Sequence, residues 1–162
     1  MMKAKVERHF ISHSPEETQH LGKRLGELAQ AGDIFLLVGG LGTGKTCLTQ
    51  GIAWGLGTQD YASSPSFMVA KEYHQGRLSL YHIDLYRIDN IKEVWELGLE
   101  EYFYRGGVSV VEWAEKGLGA LPEEHLLIKL DYFAENERIF SFEPSGERYL
   151  RLVPKLLPAH ER

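Results

Sequence analysis

The strongest hydrophobic signal in the chain is a continuous apolar run at residues 34–38, which lies between Gly32 and Gly39. A run without polar positions is typical of a strand buried on both faces of a parallel sheet. Apolar residues also recur at helical spacing before and after this run. They are Leu21, Leu25 and Leu28 on one side, and Leu48, Ile52 and Leu56 on the other. The pattern predicts a helix, a central strand and a second helix in succession.

The first helix also carries a start signal, because Ser14, Pro15 and Glu17 fit an N-cap, a first helical position and a capping box. The remaining apolar runs predict further strands and two short helices. The strands are residues 3–11, 67–73, 78–85, 108–111, 126–133, 138–143 and 149–153, and the helices are residues 91–98 and 99–103. The order of these elements predicts an α/β architecture with hairpins at residues 67–85 and 126–143.

The turn after the central strand carries the clearest candidate chemistry. Residues 39–46 fit the pattern Gly-x-x-x-x-Gly-Lys-Ser/Thr in full, between a buried strand and an amphipathic helix. Glycines let successive backbone N–H groups turn inward as an anion-binding nest, and the helix start adds a positive dipole end. Lys45 would reach the β- and γ-phosphates, and the Thr46 hydroxyl is the expected magnesium ligand. The motif predicts a P-loop NTPase-like three-layer sandwich with a mixed, partly antiparallel sheet.

Two further polar positions fit a nucleotide site. Glu112 directly follows the buried run at residues 108–111, which places its carboxylate at the strand end next to a P-loop. It could hold magnesium or polarise the attacking water. His82, Asp84 and Tyr86 share one face of the predicted strand at residues 78–85, so Asp84 could position a water molecule. The alternative interpretation of this polar face, an edge strand with one wet face, remains open. Ser66 lies where P-loop proteins often carry a nucleotide-sensing segment.

Composition narrows the class of protein. The chain has 162 residues and 18.4 kDa, which predicts one domain at residues 1–153 and a flexible tail at residues 154–162. The net charge is −5, which argues against a DNA-binding protein. The single cysteine excludes an intrachain disulfide, and no apolar run is long enough to cross a membrane. We therefore expect a cytoplasmic protein.

The motifs leave several functions open. A P-loop enzyme that works alone, such as a small-molecule or nucleotide kinase, usually adds an arginine-bearing lid and a pocket for the phosphate acceptor, and no segment here has clustered arginines. A GTPase switch is disfavoured, because neither N-K-x-D nor D-x-x-G occurs in the chain. An ATPase that serves a larger assembly and an adaptor that senses ATP with negligible turnover both fit, and the sequence does not separate them.

Taken together, the motifs resemble the TsaE family, small bacterial P-loop ATPases of tRNA modification. The resemblance runs nearly end to end. It rests on the P-loop at residues 39–46, the Ser-Pro-Ser-Phe segment at 64–67, the His-x-Asp-x-Tyr-Arg motif at 82–87 and Val-Glu-Trp at 111–113. It implies binding of ATP or ADP with Mg²⁺, slow ATP hydrolysis, and work with two partner subunits, TsaB and TsaD. These partners transfer threonylcarbamoyl to adenosine 37 of tRNA, so that tRNA is met indirectly through them.

The resemblance also implies roles for individual residues. Thr46 and Glu112 would hold magnesium, while Asp84 and Glu112 are the candidate catalytic carboxylates. The nucleotide would contact Gly39, Leu41, Gly42, Thr43, Gly44, Lys45, Thr46, Cys47 and Ser66. This chain departs from the family pattern at two positions, because Ser66 replaces a usual Thr and Gly40 replaces a usual Asp or Glu. The first departure keeps the hydroxyl, and the second removes a negative charge beside the phosphates.

Overall fold

The structure is a computed structural model, which describes residues 8–59 and 69–157. Its strands are β1 (His9–Ser12), β2 (Ile34–Gly39), β3 (Ala70–Tyr73), β4 (Leu80–Asp84), β5 (Val108–Glu112), β6 (His125–Ala134) and β7 (Glu137–Ser145). The α-helices are α1 (Pro15–Leu28), α2 (Lys45–Gly55), α3 (Ile91–Glu96), α4 (Glu100–Phe103) and α5 (Glu147–Leu156), and two 3₁₀ turns follow β5 at Ala114–Lys116 and Leu118–Ala120.

The strands form one mixed sheet in the order β1-β7-β6-β2-β5-β4-β3. The four central strands, β6, β2, β5 and β4, run parallel, and the flanking strands pair antiparallel to their neighbours. β2 lies in the middle, and its residues 34–37 are buried, which confirms the central strand predicted from the apolar run. Both predicted hairpins are also present, as β3–β4 and β6–β7.

Helices cover both faces of the sheet. On one face, α1, α2 and α5 pack on the strands in a core that includes Leu25, Leu48, Phe35 and Leu152. On the other face, α3, α4 and the 3₁₀ turns enclose a second core around Leu36. Because residues 35 and 36 point to opposite faces of β2, one apolar run supplies both cores. The predicted α/β three-layer sandwich with a mixed sheet is confirmed.

The C-terminal prediction is wrong. Residues 149–153 belong to helix α5 and not to a strand, and α5 continues through Pro154 to Leu156. The buried residues of this segment, Tyr149, Leu152, Val153 and Leu156, recur at helical spacing, so they form one buried stripe. The tail therefore does not begin at Pro154, since Leu157 is still buried. Residues 158–162 lie outside the described residues, as do residues 1–7, which include the start of the strand predicted at residues 3–11.

Candidate functional site

The P-loop joins the central strand β2 to helix α2. β2 ends at Gly39 and α2 begins at Lys45, so residues 40–44 form the turn between them. Gly44 is the N-cap of α2 with φ +106°, a left-handed conformation that favours glycine. No side chain caps the helix, so no side-chain acceptor occupies the first N–H groups of α2. The positive end of the helix dipole is therefore directed at the P-loop turn. A helix end of this kind is suited to bind an anion.

Lys45 is buried and points back across the loop. Its Nζ donates to the carbonyl oxygens of Gly39 and Gly40, each at 2.7 Å, and lies 4.0 Å from the centre of the Trp113 ring. Burial lowers the pKa of Lys45, and the negative charge of Glu112 acts against this shift. Trp113 has φ +58° at the corner between β5 and the following 3₁₀ turn, and its ring also packs against Tyr86 in a tilted arrangement, with the ring centres 5.0 Å apart. The aromatic pair thus forms a wall beside the lysine.

Glu112 forms the polar centre of the site. It ends β5, next to β2 in the sheet, and is only 1% exposed. The Thr46 hydroxyl donates to Oε1 of Glu112 at 3.0 Å, and the Thr49 hydroxyl lies 3.3 Å from Oε2. The imidazole Nε2 of buried His82 also contacts Oε2. β5 and α2 therefore bring together the two residues expected to hold magnesium, Thr46 and Glu112.

Asp84 lies beside Glu112 because the two residues are register partners at the ends of β4 and β5. Its Oδ1 accepts a hydrogen bond from the backbone N–H of Tyr86 at 2.9 Å. Burial raises the pKa of Asp84, and the nearby charge of Glu112 raises it further. Of the three polar residues expected on one face of this strand, His82 is fully buried, Asp84 is half-buried and Tyr86 is exposed. The polar residues of β4 therefore face the candidate site where the strand ends. β4 is not an edge strand with one solvent-exposed face.

A pocket lies on the other side of the P-loop from Glu112. It is lined by the start of α1, the loop residues 42–44, Cys47, and Asn136 and Arg138 of the β6–β7 hairpin. The hairpin also braces the loop, because the Tyr132 hydroxyl donates to the Leu41 carbonyl oxygen at 2.6 Å. Sequence reasoning missed these hairpin residues. No local motif marks them, since they lie about 90 residues after the loop and reach it only through the sheet.

Comparison with known proteins gives one consistent result. The family model "Threonylcarbamoyl adenosine biosynthesis protein TsaE" matches residues 12–140. The tRNA threonylcarbamoyladenosine biosynthesis protein TsaE of Bacillus subtilis is 43% identical over 143 residues, which cover 88% of this chain and 89% of that protein. The protein of the same name from Treponema pallidum is 39% identical, over 79% of this chain and 94% of that protein. This chain belongs to the TsaE family.

The fold of a solved structure agrees with this assignment. The crystal structure of Bacillus subtilis YdiB superposes with a TM-score of 0.82 at 38% identity and covers 95% of each chain. The TsaE family takes part in the biosynthesis of threonylcarbamoyladenosine in tRNA, as the names of the family and of its members state. Within the described part of this TsaE chain, no helix has the length and apolar character needed to span a membrane.

The structure places the residues predicted to contact the nucleotide in different surroundings. Gly39, Gly42, Thr43, Gly44, Lys45 and Thr46 line the loop itself. The Leu41 side chain is 73% exposed, and the residue lines the pocket that contains Glu112. Cys47 donates from Sγ to the Pro15 carbonyl oxygen at 3.3 Å, and burial raises the pKa of its thiol. Ser66 lies outside the described residues, so its role stays a prediction.

Proposed function

We propose that this TsaE protein binds ATP or ADP with Mg²⁺ across the P-loop and hydrolyses ATP slowly. In this proposal, hydrolysis supports turnover of a TsaB–TsaD transferase that modifies adenosine in tRNA. The observation that carries the proposal is one groove over the start of α2. The pocket of Asn136 and Arg138 and the pocket of Glu112 share Gly42, Gly44 and Cys47, so they are two ends of one binding surface.

This groove has the polarity that a nucleotide needs. The Glu112 end has the buried hydroxyl and carboxylate pair, and the uncapped start of α2 lies at its centre. The other end offers Asn136, Arg138 and the side chains of α1 to a base and ribose. Triphosphate would lie over the helix start, where N–H groups and the dipole favour negative charge. Lys45 would exchange the Gly39 and Gly40 carbonyl oxygens for phosphate oxygens.

The residues at the Glu112 end fit Mg²⁺. Thr46 Oγ1 and Glu112 Oε1 are hard oxygen donors 3.0 Å apart. Adjacent ligands of an octahedral Mg²⁺ lie about 2.9 Å apart, since each is about 2.0–2.1 Å from the ion. The described residues contain no group of three His, Cys, Asp or Glu that would hold a metal alone. Phosphate and water oxygens would complete the shell, and the ion would neutralise charge on the transferred phosphoryl group.

Hydrolysis requires a water molecule in line with the γ-phosphate. Asp84 sits beside Glu112 at the end of β4, and its raised pKa makes it a better proton acceptor than an ordinary surface aspartate. Water oxygen would bond to the γ-phosphorus as the bond to the β–γ bridging oxygen breaks, giving ADP and phosphate. Asp84 would take the proton from the water. Lys45 and the α2 N–H groups would stabilise the negative charge on the phosphates.

We assign binding of the second substrate, tRNA, to partner proteins. The described residues are used by one nucleotide core and its covering helices, and the net charge of −5 does not favour direct capture of tRNA. We therefore assign tRNA binding mainly to the TsaB and TsaD subunits, and place this function in the cytoplasm. These subunits would bind near the nucleotide groove in the proposed assembly, where they could accelerate hydrolysis.

The first test measures binding of a fluorescent ATP analogue. Lys45→Ala removes the buried ammonium, and we expect an affinity loss of about 100-fold, in the range of lost charge-assisted contacts. Lys23→Ala, at an exposed position of α1, serves as the control and should bind like wild type. Unchanged affinity in Lys45→Ala would refute nucleotide binding at the P-loop.

The second test separates hydrolysis from binding. Phosphate release is measured with and without TsaB and TsaD, for wild type and Asp84→Asn. We expect the partners to raise the wild-type rate, and Asp84→Asn to keep nucleotide affinity while losing about 100-fold in rate, as for a general base. Equal rates with and without the partners would favour a stand-alone enzyme.

A further inference from the structure

We propose that His82 is a positioning residue that fixes Glu112 for Mg²⁺, and this inference rests on the proposed function. His82 lies within β4 with no exposed surface, opposite Val110 of β5. Glu112 follows two residues later on β5 and projects from the same face as Val110. The two side chains therefore meet on the same face of the sheet, in the buried layer beneath the proposed nucleotide groove.

The contact between these residues has a definite polarity. An ionised carboxylate has no proton to donate, so the imidazole Nε2 must carry the hydrogen in its contact with Glu112 Oε2. The Thr49 hydroxyl lies 3.3 Å from the same oxygen. His82 and Thr49 thus contact Oε2 alone, while the Thr46 hydroxyl is shared unequally and lies closer to Oε1, at 3.0 Å against 3.4 Å for Oε2. Oε2 is therefore the oxygen that the protein holds in place, and Oε1 is the oxygen that would coordinate Mg²⁺.

This division matters because a glutamate has three rotatable bonds. Without a donor at Oε2, the carboxylate would sample orientations in which neither oxygen lies beside Thr46 in the right direction. Partners of this kind, which hold a metal ligand from behind, typically change metal affinity by about 10- to 100-fold when they are removed. His82 would therefore act on Mg²⁺ without touching it.

A purely structural role explains His82 less well. The imidazole Nδ1 is buried and has no hydrogen-bond partner within the described ranges. A buried polar atom left in this state costs stability, whereas leucine at the same position would fill the core without that cost. Away from the site end of the strands, the neighbouring positions on this face are apolar, and Leu80 and Val110 are both fully buried. Among the described residues, the polar contact of the His82 side chain is to the proposed magnesium ligand.

The test compares two substitutions at this position. His82→Leu removes the donor, whereas His82→Gln places an amide Nε2 where it can still donate to Glu112. Ile83→Ala is the control, because Ile83 is a fully buried neighbour on the opposite face of β4 and its loss destabilises the core without touching the site. Affinity for a fluorescent ADP analogue is measured in EDTA and across a range of Mg²⁺ concentrations, and melting temperatures report folding.

We expect all folded variants to bind the analogue equally in EDTA. In His82→Leu, the Mg²⁺ concentration that gives half of the metal-dependent gain in affinity should rise about 10- to 100-fold. In His82→Gln it should stay within about threefold of wild type, because the donor is kept. Ile83→Ala should lower the melting temperature and leave the Mg²⁺ dependence unchanged.

Four outcomes would overturn the inference. A wild-type Mg²⁺ dependence in His82→Leu refutes the positioning role and leaves the proposed function intact. A shift in Ile83→Ala equal to that in His82→Leu, or a shift in His82→Gln as large as that in His82→Leu, attributes the effect to general loosening of the sheet. A wild-type protein that gains no affinity from Mg²⁺ refutes both the inference and the proposed metal site.

Discussion

Two groups of glycines meet at helix α2, and the structure needs them for different reasons. The loop glycines, Gly42 and Gly44, have left-handed φ values of +77° and +106°. The helix glycines lie in α1 and α2 and have ordinary helical backbone; they are Gly22, Gly26, Gly51 and Gly55. The loop glycines are required for the conformation of the chain, and the helix glycines are required for space.

The space between the helices is very small. A Cβ atom added to Gly51 would lie 2.1 Å from the Gln19 carbonyl oxygen, and one added to Gly26 would lie 2.3 Å from the Ile52 carbonyl oxygen. These neighbours are backbone atoms, so they cannot turn away as side chains do. The close approach fixes α1 against α2, whose first turn forms the proposed phosphate site. The comparison shows that the P-loop is held by a helix pair as well as by its own motif.

The largest expected effect is on the helix glycines. Gly51→Ala gains about 1 kcal/mol in helix propensity, but the clash with the α1 backbone forces the helices apart. We expect a net loss of about 2 kcal/mol in the free energy of unfolding, because an overpacking cost of about 3 kcal/mol, at the upper end of such effects, exceeds the gain in propensity. Urea denaturation followed by circular dichroism measures this loss. An unchanged or higher midpoint would show that α1 and α2 separate without cost, and the distinction between the two groups would fail.

Gly44→Ala should affect binding more than folding. An added Cβ has room, since its nearest neighbours would be Thr18 Cγ2 at 3.8 Å and Cys47 Cβ at 4.0 Å. The cost is therefore the left-handed backbone, about 1–2 kcal/mol for an L-residue. The loop can relieve this strain by leaving its present conformation, so we expect about 10-fold weaker ATP-analogue binding. An unfolding loss as large as that of Gly51→Ala, with normal binding, would contradict this expectation.

The sequence predicts the loop group far better than the helix group. The P-loop is a contiguous pattern, so residues 39–46 and the flanking strand and helix can be read together. The helix glycines have no such mark, because each opposes a backbone atom of a different helix and the pairing exists only after folding. Ser14, Pro15 and Glu17 predicted the start of α1 for the opposite reason. The Ser14 side chain does accept from the Glu17 N–H, and such capping is a local interaction.

The residues of the candidate site also divide into those that a local sequence pattern predicts and those that only the folded structure brings to the loop. Glu112 was predicted from its strand end, because parallel strands bring their carboxyl ends to one edge, and Asp84 was predicted from the polar face of its strand. Arg138 and Tyr132 were missed, since they reach the loop only through the β6–β7 hairpin. The wrong strand at residues 149–153 has a related cause. Pro154 and the short apolar run suggested a strand that ends there, whereas the stripe that packs α5 on the sheet extends to Leu156.

Cys47 lies between the two glycine groups and reports on the start of α2. Burial, with a smaller contribution from Glu16, raises the pKa of its thiol above the usual 9.0. A raised pKa means less thiolate at neutral pH, so the rate of alkylation should still increase with pH beyond 9. At pH 8 we expect iodoacetamide to label the folded chain at least about threefold more slowly than the urea-unfolded chain.

The chain has a single cysteine, so the label is unambiguous, and the unfolded protein supplies the reference thiol. Mass spectrometry follows the reaction between pH 7 and pH 10. Saturating nucleotide should slow it further, because Cys47 lines both ends of the groove. A labelling rate that levels off below pH 9 would mean that the helix dipole outweighs burial at this position.

The smallest expected effect is at Gly40, which belongs to the P-loop but to neither glycine group. An added Cβ would have no atom within 4 Å, and the backbone there is not left-handed. The contacts that Gly40 makes come from Lys45 Nζ and Thr43 Oγ1 to its carbonyl oxygen, which alanine retains. Gly40→Ala should therefore change the free energy of unfolding by less than about 0.5 kcal/mol and analogue affinity by less than about twofold. A loss of binding in Gly40→Ala as large as that in Gly44→Ala would mean that the loop requires a small residue at every position. Backbone conformation would then no longer distinguish the loop glycines from the helix glycines.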